Sequence, residues 1–246
     1  MPYKLFYWPS IQGRGEFVRL ALEAAGADYV DVARGDAASG QGMPALLHCL
    51  KDKGVAHPPF APPILQHGEV VVAQTAAILL YLGPRLDLVG KSESSRLWTH
   101  QIQLTVTDVV AEVHDTHHPI STDLYFEDQK PEARKRSRAF RESRIPKYLA
   151  WFEAILGRNN TNAHAANPHL VGARLSYADL SLFQLVEGLF YAFPNTLQTA
   201  LKKAPMVARL HGEIRQHKRL AGYLHSERRI AFNEDGIFRR YPDLDA

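Results

Sequence analysis

The stretch PPILQHGEVVVAQTAAILLYLG, residues 62–83, decides the fold of this chain of 246 residues. A Pro-Pro pair leads into a short apolar strand, His67-Gly68 predicts a turn, and residues 70–73 predict a second strand. Gln74 and Thr75 then precede an apolar helix. Two polar side chains therefore lie at a helix N-terminus, where unpaired N–H groups and the helix dipole favour an anionic group such as a carboxylate.

The residues before this stretch predict the other half of the same structural unit. Residues 3–8 predict a strand, residues 16–25 a helix that Gly26 ends, and residues 29–33 a second strand. A short helix is predicted over residues 43–53. The resulting order is β-α-β-(α)-β-β-α, and a right-handed crossover would make the first two strands parallel.

After Gly83-Pro84 the sequence changes from strand patterns to helical periodicity. Residues 84–93 are interpreted as a linker. Helices are predicted over 96–113, 131–156, 177–193, 196–203, 206–216 and 218–225. Ser176 and Asp179 have the spacing of a capping box at the start of the third of these helices. The predicted fold is therefore an α/β unit followed by an all-α region.

The composition is that of a soluble globular protein, with 46% hydrophobic and 22% charged residues. No apolar run has the length of a membrane span, and residues 1–10 lack the apolar segment of a secretory signal. The single cysteine, Cys49, forms no internal disulfide, so we expect a reducing, cytoplasmic location. A net charge of +3 argues against a general polyanion binder. The arginines in RKRSRAFRESR, residues 134–144, are interpreted as a solvated helix face rather than a nucleic-acid site.

Four motifs together resemble the cytosolic glutathione transferases of the tyrosine type, which include the alpha, mu, pi and sigma-like classes. They are residues 62–83, YWPSIQGRGE from Tyr7, LSYADLSLF from Leu175 and RLAGYLHSERRIAF from Arg219. The resemblance covers about residues 1–232. It implies a thioredoxin-like, glutathione-binding domain at 1–83, a linker at 84–93, and an all-helical domain with a C-terminal tail at 94–246.

The resemblance also implies which residues hold glutathione, the expected co-substrate. Pro63 matches the family's cis-proline, and Gln74-Thr75 match the pair that holds the γ-glutamyl end. The residue before the cis-proline normally offers both its N–H and its C=O, but here it is Pro62, which has only the carbonyl.

The region that supplies side chains for the glycine end of glutathione contains two candidate lysines. Lys51 or Lys53 fits that role, and either one also fits as a surface lysine.

The thiol of glutathione requires activation, because a thiol with a pKa of about 8.5 is mostly protonated at neutral pH. Lowering that pKa by two units requires about 2.7 kcal/mol, and one hydrogen bond to a charged acceptor supplies about 1.5–3 kcal/mol. The family uses either a tyrosine at the end of the first strand or a serine in the following loop; Tyr7 is favoured here, with Ser10 as the alternative. Arg14 would supply positive potential near the sulfur, or would simply pair with Glu16 or solvent.

The resemblance places a small hydrophobic electrophile between the first loop and the long helix of the helical domain. Trp8 and Ile11 of the loop, and His114 and His118 of the helix, are the candidate pocket residues.

His114, His117 and His118 have the i, i+3, i+4 spacing that can bind a metal on one helix face. We expect no metal, because neutral histidines are common at domain edges and the family requires none.

The sequence thus predicts a homodimeric enzyme that conjugates glutathione to electrophiles in detoxification, with no nucleic-acid or membrane partner. Gln103 or Leu104 aligns near the point where many family members send an acidic side chain across the dimer. The lack of an acidic residue at either position, together with Pro62, leaves a noncatalytic structural or ligand-carrying protein as an alternative. A glutathione-dependent isomerase or peroxidase on the same site is a third possibility.

Overall fold

The computed structural model describes residues 1–52, 54–159 and 168–246. Lys53, one of the two lysines predicted for the glycine end of glutathione, lies outside the described residues.

Four short strands form one mixed sheet in the N-terminal part of the chain. They are β1 (Tyr3–Phe6), β2 (Tyr29–Asp31), β3 (Ile64–His67) and β4 (Val70–Ala73), in the order β2-β1-β3-β4. β1 pairs with β2 in parallel and with β3 antiparallel, and β3 and β4 form an antiparallel hairpin. The predicted order of elements and the parallel first pair are confirmed. β2 is shorter than predicted because residues 32–34 form a 3₁₀ turn.

Ten α-helices are found in the described residues. Three accompany the sheet: α1 (Gly15–Ala25), α2 (Gly42–Lys51) and α3 (Thr75–Arg85). The other seven follow: α4 (Glu93–Asp115), α5 (Lys130–Ala139), α6 (Ile145–Asn159), α7 (Tyr177–Ala192), α8 (Pro194–Leu201), α9 (Pro205–Arg215) and α10 (Lys218–Leu224). The predicted α/β unit followed by an all-α region is therefore confirmed.

Two predicted helix boundaries were wrong. α3 does not end at Gly83 but continues through Pro84 to Arg85, so the first residues of the predicted linker are helical. The helix predicted over 131–156 is interrupted by a π-helical turn at Phe140–Arg144. The spacing of the buried residues explains this π-helical turn. They follow α-helical spacing up to Phe140, and the next buried residue is Ile145, five positions later. The wider π turn keeps both side chains in the core, which an unbroken α-helix would not do.

α1 joins the sheet to the helical region. Its Val18 and Leu22 pack in a buried cluster with Leu5 of β1, whereas Phe17 and Leu20 pack in the large core of the helical region. Glycine ends this helix as predicted, since Gly26 has a φ of 66° and its N–H bonds to Glu23. With both faces buried, α1 is a rigid support for the loop that precedes it.

α7 is the central helix of the large core, and it packs against α1, α4 and α9. The predicted capping box at Ser176 and Asp179 is present at its start.

The C-terminal tail packs along the helical region. Phe238 lies directly against Gly188, where a side chain on the glycine would collide with the phenyl ring. The carboxylate of Asp245 accepts hydrogen bonds from the N–H groups of Asn195 and Thr196 at 2.8 and 3.2 Å. The tail thus caps the start of α8. Within the described ranges, no helix is long and apolar enough to cross a membrane.

Candidate functional site

Tyr7 lies directly after β1, at the entrance to the loop that leads to α1. Its ring is 3% exposed, and its hydroxyl oxygen accepts a hydrogen bond from the backbone N–H of Arg14 at 2.8 Å. Burial raises the pKa of Tyr7, while the N–H of Arg14 opposes that rise. Because burial raises its pKa, the phenol keeps its proton at neutral pH, and it can donate that proton to a second partner while its oxygen accepts from Arg14.

Two glycines allow the backbone to approach the Tyr7 ring so closely. A Cβ at Gly15 would lie 2.5 Å from Tyr7 Cγ, and a Cβ at Gly13 would lie 2.9 Å from Tyr7 Cζ. Gly13 also has a φ of 44°, in the left-handed region. The glycines in the sequence YWPSIQGRGE therefore serve to position the phenol at the N-terminus of α1.

Arg14 is the residue at which the predicted site groups meet. Its N–H holds Tyr7, its carbonyl accepts a hydrogen bond from Thr75 Oγ1 at 3.3 Å, and its side chain lines a small cavity with Thr75 and Gln103. Thr75 is 7% exposed and bonds to the start of α1. The structure thus brings Thr75 together with Tyr7 and Arg14, which lie at the two ends of the first loop.

The alternative pairing of Arg14 with Glu16 was wrong. Glu16 is fully buried and faces the other way, toward Arg19 at 3.5 Å and Arg229 at 3.6 Å. The hydroxyl of Tyr223 donates to both of its carboxylate oxygens at 3.0 Å. Burial raises the pKa of Glu16, and the two arginines act against that rise.

Sequence reasoning missed a second buried connection between the first loop and the helical region. Gln12 is 5% exposed; its side chain donates to the carbonyl of Ile230 at 2.5 Å and accepts from Gln184 Nε2 at 2.7 Å. Gln184 lies on α7 and is fully buried. These partners are about two hundred residues apart along the chain, so no local pattern indicates them. They attach the loop to the helical region at a second point besides Arg14.

The prolines and polar residues of the 62–83 stretch have the predicted local geometry. The Pro62–Pro63 peptide bond is cis, and Pro63 is buried at the entrance to β3. Gln74 is exposed, has a φ of 70° and does not cap α3 with its side chain. A non-glycine residue in such a conformation costs about 1–3 kcal/mol, and strain of this size is typical of functional positions.

The remaining predicted residues are more dispersed. Ser10 is exposed, and its carbonyl accepts a hydrogen bond from the Asn233 side chain at 2.8 Å. Trp8 and Ile11 are half-buried in the same loop, and Lys51 is exposed at the end of α2.

On the long helix α4, Gln103 is 1% exposed and Leu104 is 47% exposed. Gln103 therefore faces Arg14 across the small cavity, while Leu104 faces outward. Neither residue is the acidic side chain that the family resemblance suggests near this point.

The three histidines at the end of α4 form a compact cluster, with ring nitrogens within 4.8 Å of one another. Burial lowers the pKa of His117 to about 3 and that of His114 to about 4. The charge of Arg14 contributes to the lower pKa of His114, which indicates that this end of α4 faces the first loop. His118 is half-buried, and burial lowers its pKa as well.

Two sizeable cavities lie away from Tyr7. One of about 620 Å³ is between α6, α8 and the end of the tail, and one of about 520 Å³ is beside α2. The cavity between Arg14, Thr75 and Gln103 holds only about 10 Å³. The site is therefore identified by its hydrogen bonds rather than by cavity size.

Comparison with known proteins shows what this chain is similar to. The family model for "Glutathione S-transferase, C-terminal domain" matches residues 114–227. The chain is 27% identical over 195 residues to a glutathione S-transferase of Plasmodium falciparum, covering 79% of this chain and 83% of that protein. It is 25% identical over 232 residues to glutathione S-transferase P of Bos taurus, covering 94% and 98%.

Two solved structures have the same fold. The pi-class glutathione S-transferase of Onchocerca volvulus superposes with a TM-score of 0.66 at 22% identity, covering 91% of this chain and 92% of that one. The prostaglandin synthase D of Nilaparvata lugens superposes with a TM-score of 0.68 at 17% identity, covering 92% and 98%. At these identities the two structures show the fold alone. Together with the sequence matches, they show that the chain is similar to glutathione S-transferases in sequence and has their fold.

Proposed function

We propose that this protein conjugates the thiolate of glutathione to small electrophiles and that Tyr7 stabilises the thiolate. The hydrogen bond from the Arg14 N–H to the Tyr7 hydroxyl oxygen is the observation that carries the proposal. A phenol that accepts a peptide N–H becomes a better donor, because the N–H stabilises the negative charge that develops on its oxygen. One such donor supplies about 1.5–3 kcal/mol to a charged acceptor, the amount that a two-unit decrease in the thiol pKa requires.

The contacts of Arg14 relate this donor to the expected position of glutathione. Thr75 is bonded to the same residue as Tyr7, so the start of α3 and the phenol belong to one continuous hydrogen-bonded unit. We propose that Gln74 and Thr75 bind the γ-glutamyl carboxylate, where the N-terminal dipole of α3 favours negative charge. The carbonyl of Pro62 would accept the cysteinyl N–H, and Lys51 or Lys53 would bind the glycine carboxylate.

We propose that the attack of the thiolate on the electrophile needs no catalytic side chain besides Tyr7. The sulfur lone pair attacks the electrophilic carbon, and with an aryl chloride the C–Cl bond breaks and chloride leaves. Trp8, Ile11, His114 and His118 would line the electrophile pocket. Burial keeps the two imidazoles neutral near pH 7, so they present an uncharged surface to a hydrophobic substrate.

The family resemblance supports three further features of the proposal. These are a homodimer, a cytoplasmic location with a role in detoxification, and a division into a glutathione-binding domain at 1–83, a linker and a helical domain at 94–246.

A noncatalytic carrier is the second candidate function, and two observations favour it. Pro62 offers no N–H to the peptide part of glutathione, and neither Gln103 nor Leu104 offers the acidic side chain that many family members send across the dimer. The loss of one hydrogen bond costs about 1 kcal/mol of binding, which weakens the site without abolishing it.

Calorimetry with glutathione, followed by initial rates with an activated aryl chloride, tests the proposal. We expect the parent to bind and turn over, Tyr7→Phe to lose about 10- to 100-fold in kcat/KM, and Ser10→Ala to lose less. Binding without turnover in the parent would select the carrier, and no binding would reject both functions.

A further inference from the structure

We propose that His114, His117 and His118 form a binding site for a zinc-like divalent transition-metal ion. Each offers one ring nitrogen, and these nitrogens lie within 4.8 Å of one another. Three neutral imidazoles with a fourth position left for water or another small ligand are a common ligand set for zinc. This inference does not rest on the proposed function.

Backbone hydrogen bonds hold the three histidines within a single turn of the chain. The N–H groups of His117 and His118 both donate to the carbonyl of His114, at 3.2 and 3.1 Å. Thr116, between them, is buried and donates its hydroxyl to the carbonyl of Val113 at 2.7 Å. The spacing of the histidines is therefore held by the end of α4 and by the hydrogen-bonded turn that follows it.

The tail supplies an independent observation that points to a metal. His117 Nε2 lies 2.8 Å from the carbonyl oxygen of Ile237. Since a carbonyl only accepts, Nε2 carries the proton, and the lone pair of His117 is on Nδ1. A metal-binding histidine usually donates its other N–H to a carbonyl or carboxylate in this way, which fixes both its tautomer and its orientation. His117 Nδ1 therefore faces His118 Nδ1 with its lone pair, within the cluster that His114 completes.

The separation between rings is compatible with an ion after a small adjustment. His117 Nδ1 and His118 Nδ1 are 2.5 Å apart, whereas two nitrogens bound to one tetrahedral zinc ion are about 3.4 Å apart. Without metal, His118 Nδ1 donates to His117 Nδ1. With metal, His118 moves its proton to Nε2, and a rotation of its half-buried ring provides the extra space.

The chemistry of the cluster selects the class of ion. Imidazole suits zinc, copper and nickel, whereas calcium and magnesium require oxygen ligands. The charges of Arg239 and Arg14 reach the cluster from the tail and the first loop, and they act against a dication. An anion such as hydroxide or chloride in the fourth position would offset them.

The test uses the full-length chain without a histidine tag, after treatment with a chelator. Zn²⁺ is titrated by calorimetry in the absence of glutathione, and the visible absorption of Co²⁺ reports tetrahedral coordination. We expect one equivalent of Zn²⁺ per chain, an increase in Tm on binding, and an affinity at least about tenfold weaker in His118→Gln and His114→Gln.

His100→Gln is the matched control, since His100 lies on the same helix about 21 Å from His114 along its axis. The control should bind like the parent. His118 is half-buried, so its variant should fold even if His114→Gln does not. A parent that binds no Zn²⁺, or a folded His118→Gln with parental affinity, would overturn the proposal.

Discussion

Replacing Gly15 with alanine should displace the phenol of Tyr7 without straining the backbone. Gly15 is the first residue of α1 and has no positive φ, so alanine suits its conformation. The new Cβ would lie 2.5 Å from Tyr7 Cγ, whereas ordinary contacts begin at 3.4 Å, so the ring or the helix start must move by about 0.9 Å. A displacement of about 1 Å at a reacting group can cost about 100-fold in rate.

Stability and activity should therefore both decrease in Gly15→Ala. Overpacking of a buried site costs about 1–3 kcal/mol, and the helix propensity of alanine returns up to about 1 kcal/mol. Urea denaturation gives the free energy of unfolding, and kcat/KM with glutathione and an aryl chloride gives the activity. We expect a net loss of stability of up to about 2 kcal/mol and a loss of kcat/KM approaching 100-fold.

Gly212→Ala is the control, because Gly212 lies within α9 and a Cβ there would meet nothing within 4 Å. This variant should be more stable than the parent by about 0.5–1 kcal/mol, with unchanged activity. If Gly15→Ala behaved like Gly212→Ala in both assays, the close packing around Tyr7 would have no role in activity.

Three further predictions concern the buried polar groups that hold the site. Asp179→Ala removes the acceptor for the N–H groups of Leu170 and Ser176, both at 2.7 Å, and should cost about 2–6 kcal/mol in urea denaturation; a loss below about 1 kcal/mol would contradict this. Tyr223→Phe removes the hydroxyl that donates to buried Glu16 and should cost about 1.5–3 kcal/mol, whereas parental stability would show that this bond contributes nothing. Burial lowers the pKa of His117 from 6.5 to about 3 in the folded state, so between these pH values the folded state binds fewer protons than the unfolded state. The contribution of neutral His117 to stability is therefore full above pH 6.5 and is lost as the pH falls toward 3. His117→Gln should reduce the slope of unfolding free energy against pH between 6.5 and 4 by up to about 1.4 kcal/mol per unit, and an unchanged slope would refute this assignment.

The local part of this structure could be predicted from sequence. Strand β4, the Gly26 helix end and the Ser176–Asp179 capping box each depend on residues close together in the chain, and their patterns are specific. The cis bond before Pro63 followed from the family resemblance.

What sequence reasoning missed depends on contacts between distant residues. Nothing near Gln12 indicates that Gln184 is its partner, and nothing near Glu16 indicates Tyr223. The π turn at Phe140–Arg144 shifts a buried stripe by one residue, a signal that a search for regular helical periodicity passes over. Tyr7 and Arg14 could be proposed from the sequence, but their hydrogen bond, on which the proposed activation depends, required the structure.

The pKa of the bound glutathione thiol is the decisive measurement for the proposed role of Tyr7. The ultraviolet absorbance of the thiolate, measured against pH in the complex with the parent and with Tyr7→Phe, gives this value for each protein. We expect a thiol pKa at least about two units below the usual 8.5 in the parent and a return toward 8.5 in Tyr7→Phe. The same thiol pKa in both complexes would contradict it.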